Sequence, residues 1–178
     1  MDRCNYPIST VFVQEKDTTN EPGVTDVSRI PAVGRIIALD PGTKRVGIAI
    51  CDELRVTTRP LPFITRASWK KLLLEVQNIV AEYDACSLVV GLPLESDGGE
   101  SAMSAEARDM ARKFELSLGI PVFLQDERVT SYEAKGRLWQ RGVGLADARK
   151  LVDSEAAAII LADFLQETDI QPLKTDQF

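Results

Sequence analysis

Residues 35–51 (RIIALDPGTKRVGIAIC) constrain the fold more than any other part of the chain. Two apolar runs flank a short segment that begins with Pro41 and Gly42, which predicts two antiparallel strands joined by a tight turn. The first run ends on Asp40, where a carboxylate beside a buried sheet is costly unless it is paired or binds a metal ion. The segment therefore predicts a sheet with an acid at its edge that is either paired or bound to a metal ion.

The residue types available to the chain exclude several kinds of chemistry. Among its 178 residues there is no histidine, which excludes Ser-His-Asp and Cys-His mechanisms and a histidine general base. The three cysteines lack zinc-site spacing, and we interpret them as reduced thiols of a cytoplasmic protein. Neither a signal peptide nor an apolar run long enough to cross a bilayer is evident, so we expect no membrane association.

The acidic net charge of −6 is concentrated outside the central part of the chain. Residues 1–34 carry a net charge of −2, residues 163–178 carry −3, and the long stretch 35–162 carries only −1. Because local charge decides which surface meets an anionic partner, the central part can still present basic faces to a nucleic acid.

Three regions follow from the sequence pattern. Residues 1–34 and 167–178 show no sustained periodicity and are interpreted as mobile tails flanking one domain at 35–166. Within the domain, apolar runs predict strands at 35–40, 45–51, 58–65, 86–93 and 121–127. Amphipathic spacing predicts helices at 68–83, 101–118, 131–141 and 145–165. This order predicts an α/β domain, with one mixed sheet and helices on both faces.

Two further acids stand where an apolar or neutral residue is expected. On the last helix, Asp153 shares a face with Ala157, Ile160 and Phe164, which should pack on the sheet. A solvated acid, or one paired with a neighbouring base, is the simpler interpretation of Asp153 alone. Glu127 follows Asp126 at the end of the fifth strand, and alternation directs these two side chains to opposite faces.

Taken together, the three acids support a sharper hypothesis. If the first and fifth strands are parallel, then Asp40 and Glu127 lie at the same edge of the sheet, where α/β proteins bind ligands. Three carboxylates within about 5 Å repel one another by about 3 kcal/mol per pair at an effective dielectric constant near 20. Divalent cations would neutralise them, and oxygen ligands suit Mg²⁺ or Mn²⁺. Such a site indicates phosphoryl chemistry.

Five motifs carry a resemblance that covers residues 35–166. In order they are ALDPGTKRVGIAI, TRPLPFI, VVGLPLESDGGES, DERVTSYEA and VDSEAAAIIL. The chain resembles the bacterial pre-16S rRNA nuclease family, which is also described as Holliday-junction-resolvase-like and has a ribonuclease H-like fold. The resemblance implies a five-stranded sheet in which strands 1–3 are antiparallel and strands 4 and 5 are parallel to strand 1.

The resemblance also implies an activity and a site. It assigns Asp40, Glu127 and Asp153 as catalytic and metal-binding acids of a metal-dependent endonuclease that processes the 5′ end of the 16S rRNA precursor. We expect a two-metal site, with Asp40 contacting both ions and the other two acids each holding one side. Glu95 departs from the family, in which an asparagine is common at this position.

Several other residues are candidates for contact with the nucleic acid. Basic side chains next to the acids could bind phosphates: Lys44, Arg45, Arg128 and Lys150. Gly42 and Gly91 could let a phosphate backbone approach closely, although a need for turn geometry explains a glycine at least as well.

The sequence also suggests three alternative functions. A Holliday junction resolvase would act on four-way DNA as a dimer, whereas an rRNA nuclease could be a monomer or a weak dimer associated with a ribosomal particle. An actin-like ATP-binding module also begins with a strand, a D-x-G-T turn and a strand, but it needs a second lobe. A nucleic-acid-binding module without activity is disfavoured, because all three acids are present.

Overall fold

A computed structural model describes residues 27–95, 97–127 and 145–168, and within helix 145–167 it describes side chains from residue 154 onward. The strands are β1 (Arg35–Pro41), β2 (Arg45–Cys51), β3 (Thr58–Thr65), β4 (Ala85–Leu92) and β5 (Val122–Asp126). The helices are α1 (Trp69–Tyr83), α2 (Ala102–Leu118) and α3 (Leu145–Glu167), and a short 3-10 turn spans Val27–Arg29. The helix predicted at 131–141 lies outside the described residues.

The five strands form one mixed sheet in the order β3-β2-β1-β4-β5. Strand β1 pairs antiparallel with β2 and parallel with β4, and β4 pairs parallel with β5. The sheet therefore has the predicted topology. Pro60 and Pro62 lie in β3 at the edge of the sheet, where a missing backbone donor costs least.

Alternation along the strands divides the core into two layers. Ile37 and Leu39 of β1 belong to the layer beneath α1 and α2, whereas Ile36 and Ala38 belong to the layer beneath α3. Helix α3 buries Ala157, Ile160 and Phe164 in that second layer, which confirms the apolar face predicted for it. Helices therefore cover both faces of the sheet.

Local signals fix the ends of two helices. The Ser68 side chain accepts a hydrogen bond from the Lys71 backbone N–H at 3.3 Å, as an N-cap residue does. Gly119 ends α2 with a φ of +68°, a left-handed conformation that favours glycine. Among the described helices, none is both long and apolar enough to cross a membrane.

Candidate active site

The carboxyl ends of β1, β4 and β5 meet at one edge of the sheet, because these strands are parallel. Leu39 of β1 pairs with Val90 of β4, so Asp40 lies one residue beyond that pair. Leu92 at the end of β4 pairs with Asp126, and the Glu127 backbone N–H donates to the Leu92 carbonyl at 3.2 Å. The strand register therefore brings the ends of three strands together.

The pleat directs Asp40 and Glu127 to the same side of the sheet. Asp40 follows Ile36 and Ala38 in alternation, and both of these pack beneath α3. On β5, Phe123 belongs to the same layer, and the Gln125 side chain donates to Glu167 of α3 at 3.0 Å. Glu127 is next in this series.

The Glu127 carboxyl group lies over Gly91, and its Oε1 atom is buried. A Cβ atom at Gly91 would lie 1.9 Å from Glu127 Oε1 and 2.8 Å from Ile160 Cδ1. The glycine is therefore required to seat the Glu127 side chain between the sheet and α3. This intramolecular reason for Gly91 differs from the close approach of a phosphate backbone that we considered from the sequence.

Burial and neighbouring negative charge raise the pKa of Glu127 to about 8. Burial makes the largest contribution, followed by the charge of Asp40 and then that of Asp126. Both Asp40 and Glu127 are half-buried, so solvent screens their repulsion only in part. A divalent cation would relieve this repulsion, and the oxygen-only donor set fits Mg²⁺ or Mn²⁺.

The structure describes the backbone of the third predicted acid but not its side chain. Asp153 lies within α3, four residues before the buried Ala157, and its side chain lies outside the described part of the structure. Among the described side chains, no group of three or more Asp, Glu, Cys or His residues is arranged to hold a metal ion. The described centre of the site is thus the pair of Asp40 and Glu127, with Asp126 adding negative charge.

Two of the predicted basic residues lie at the turn that follows Asp40. Lys44 and Arg45 are exposed at the turn between β1 and β2, next to Asp40 in the fold. A Cβ atom at Gly42 would lie 2.6 Å from the Arg45 carbonyl oxygen, so the tight turn by itself requires this glycine. Arg128 and the side chain of Lys150 lie outside the described part of the chain.

Arg66 supports this turn, and sequence reasoning did not identify it. Its backbone N–H donates to the Lys44 carbonyl at 3.0 Å, and its guanidinium donates to the Gly42 carbonyl at 3.2 Å. The same guanidinium forms an ion pair with Glu106 of α2. Arg66 therefore ties the turn that follows Asp40 to a helix on the opposite face of the sheet. These contacts span distant parts of the sequence, so no local pattern reveals them.

The loop after β4 forms a compact structure at the same edge. The Glu95 backbone N–H donates to the Gly99 carbonyl at 2.9 Å, and the Gly98 N–H donates to the Glu95 carbonyl at 2.8 Å. Glu95 itself is exposed. The loop ends at Ser101, which caps α2 in a reciprocal pair of hydrogen bonds with Ser104.

We expect Gly91→Ala to fold but to lose most of any activity that depends on Glu127. The added methyl group can be accommodated only if Glu127 and Ile160 move, and both contacts are with the ends of flexible side chains. We therefore expect a loss of about 1–2 kcal/mol in unfolding free energy and a tenfold to hundredfold loss of cleavage. Thermal melting and a nuclease assay measure the two effects.

The control is Gly99→Ala, in which the added Cβ lies 3.0 Å from Asp97 Oδ1 and its three nearest atoms all belong to the exposed Asp97 side chain. Wild-type activity in Gly91→Ala would show that the seat of Glu127 is irrelevant to function.

Comparison with known families gives one match that covers most of the chain. The profile of the family described as "RuvX: Holliday junction resolvase" matches residues 34–167. This range contains every described strand and helix except the 3-10 turn.

Curated relatives match over nearly their whole length. The chain is 40% identical over 131 residues to a protein of Anaeromyxobacter dehalogenans (strain 2CP-C) named as a candidate pre-16S rRNA nuclease, covering 74% of this chain and 96% of that protein. A protein of the same name from Syntrophus aciditrophicus (strain SB) is 37% identical over 142 residues, which cover 80% of this chain and 95% of that protein.

A solved structure confirms the fold. Thermus thermophilus RuvC in complex with a Holliday junction substrate aligns with a TM-score of 0.51 and 17% identity, covering 79% of this chain and 99% of RuvC. The predicted ribonuclease H-like fold is therefore confirmed.

Proposed function

The chain belongs to the RuvX family, and from this premise we propose that it is a metal-dependent endonuclease that processes the 5′ end of the 16S rRNA precursor. The family assignment and the curated relatives support a nuclease. Metal dependence, the RNA substrate and the site of cleavage are our proposals, as are a cytoplasmic location and association with a ribosomal particle.

A single observation supports the metal-dependent chemistry. The pKa of Glu127 is raised to about 8 by burial and by the charges of Asp40 and Asp126. Repulsion between acids at this edge of the sheet destabilises the folded state, and a bound cation would offset that destabilisation. We propose that Asp40 and Glu127 hold the cations, and that Asp153 of α3 is the third ligand.

Divalent cations bound there would activate the attacking water and stabilise charge on the leaving 3′ oxygen. The protein's own contribution is to hold the acids in fixed positions. Asp40 is held by the β1–β2 turn, in which the Gly42 N–H donates to the Asp40 carbonyl at 2.9 Å. Glu127 is held over Gly91 by α3. Lys44 and Arg45 would attract the phosphates that flank the scissile bond, as would Arg128 and Lys150.

A cleavage assay tests the proposed function. An RNA that carries the 5′ extension of the 16S precursor should be cut in Mg²⁺ or Mn²⁺, and EDTA should stop the reaction. No cleavage of this RNA under any divalent cation would refute the rRNA assignment.

A Holliday junction resolvase is the second candidate, and the description of the matching family favours it. Such an enzyme cuts two strands symmetrically, so it needs two active sites and hence a dimer. Symmetric nicking of a four-way DNA junction by a particle of twice the chain mass would favour this function. Cutting of precursor RNA by a monomer would favour the first. The actin-like ATP-binding module has no support from the curated relatives, which are named as nucleases.

A further inference from the structure

An arginine side chain lies over an aromatic ring near the candidate active site. The Cζ atom of Arg45 lies 4.4 Å from the centroid of the Phe63 ring. Arg45 is exposed and Phe63 is half-buried. A guanidinium held over an aromatic ring is restricted in its motion, so it can receive a further planar group at little additional entropic cost.

A β-bulge gives Phe63 its position. Ile48 of β2 pairs with Leu61, and Val46 pairs with Ile64. Two residues of β3, Pro62 and Phe63, therefore stand opposite the single residue Gly47. Leu61 and Ile64 both face the core layer beneath α1 and α2. The bulge turns Phe63 to the other side, which is the side of Asp40.

The pair and the acids share one row across the sheet. Gly47 stands opposite Phe63 in the bulge and pairs with Asp40 on its other side. Strands are spaced by about 4.8 Å, so Phe63 lies about 10 Å from Asp40 along this row. Glycine contributes no side chain between them. A nucleotide that flanks a phosphate bound at Asp40 can reach this distance.

We propose that Arg45 and Phe63 form a stacking platform for an unpaired base beside the scissile phosphate, so that the nuclease cuts single-stranded segments. This inference rests on the proposed function. Bases stack on aromatic and guanidinium planes with little regard to sequence, whereas bases inside a duplex already stack on one another. The platform therefore selects unpaired nucleotides near the cut and leaves sequence choice to other contacts.

A binding experiment in an Asp40→Asn background, in which we expect no cleavage, tests the platform. Fluorescence anisotropy would measure the Kd for a short single-stranded RNA and for the blunt duplex of the same sequence. Phe63→Leu keeps an apolar side chain but removes the aromatic ring. Arg45→Lys keeps the positive charge but removes the planar guanidinium group. Each should weaken single-strand binding by about tenfold and change duplex binding by less than about twofold.

The chain offers a matched control. The Cζ atom of Arg59 lies 5.5 Å from the centroid of the Tyr83 ring. Arg59 pairs with Ile50, which lies near the opposite end of β2 from Arg45. Tyr83→Leu removes an equivalent stack away from the site and should leave both Kd values unchanged. The platform would be overturned if the two platform variants lost equal affinity for single-stranded and duplex RNA, or if neither variant lost affinity. It would also be overturned if Tyr83→Leu lost as much affinity for single-stranded RNA as they do. Metal-dependent cleavage by the wild-type protein is measured separately, so either proposal can fail without the other.

Discussion

Asp40→Asn should abolish cleavage and leave the fold intact. The substitution keeps the shape of the side chain and removes the charge that a divalent cation needs. Loss of about 4 kcal/mol of transition-state stabilisation corresponds to about a 10³-fold lower rate. Because the Asp40 charge raises the pKa of Glu127, its removal also relieves repulsion. The melting temperature of the metal-free variant should therefore equal or exceed that of the wild-type protein at alkaline pH.

The control removes one carboxylate charge at the opposite end of the sheet. Glu53 is 67% exposed and lies 3.9 Å from Arg35, which begins β1. Glu53→Gln should keep full activity, since surface ion pairs contribute little. The rate of cleavage in Mg²⁺ and the melting temperature decide the result. Wild-type turnover by Asp40→Asn would end the proposed role of this acid.

The stability of the metal-free protein should fall as pH rises, and a bound cation should restore the stability that is lost at alkaline pH. Glu127 has a folded-state pKa of about 8, above the ordinary value of 4.5 for a glutamate. Between these two values the folded state keeps a proton that the unfolded state has lost. Stability of the metal-free protein should therefore be greatest below pH 4.5, as far as Glu127 decides it, and should fall as pH rises toward 8.

The fall should amount to about 3–5 kcal/mol, or about 10 °C in melting temperature. Melting curves of the wild-type protein and Glu127→Gln in EDTA, at pH 5 and pH 8.5, isolate this contribution from that of other groups. Glu127→Gln should lose most of the dependence, and Mn²⁺ at pH 8.5 should restore the stability of the wild-type protein only. Parallel pH profiles for the two proteins would show that Glu127 is not an acid of raised pKa.

Much of the fold could be predicted because its signals are local. The turn at Pro41 and Gly42 and the apolar spacing of α3 each depend on residues close in sequence. Both predictions are confirmed by the described residues.

The site could be predicted only as a set of residue types. Alternation along the strand indicates that the Asp126 and Glu127 side chains point to opposite faces of the sheet. Only the strand register, however, places Glu127 over Gly91. The support that Arg66 gives to the turn and the bulge at Phe63 both depend on pairings between distant residues. The position of the Asp153 carboxylate relative to Asp40 stays a prediction.

We propose above all that Asp40 and Glu127 together bind a divalent cation. The direct test is titration of Mn²⁺ into the protein at pH 8.5, with electron paramagnetic resonance measuring the Mn²⁺ that stays free in solution. We expect the wild-type protein to remove Mn²⁺ from solution, and Asp40→Asn and Glu127→Gln each to lose that uptake while Glu53→Gln keeps it. Equal uptake by all four proteins would contradict a cation site built on these two acids.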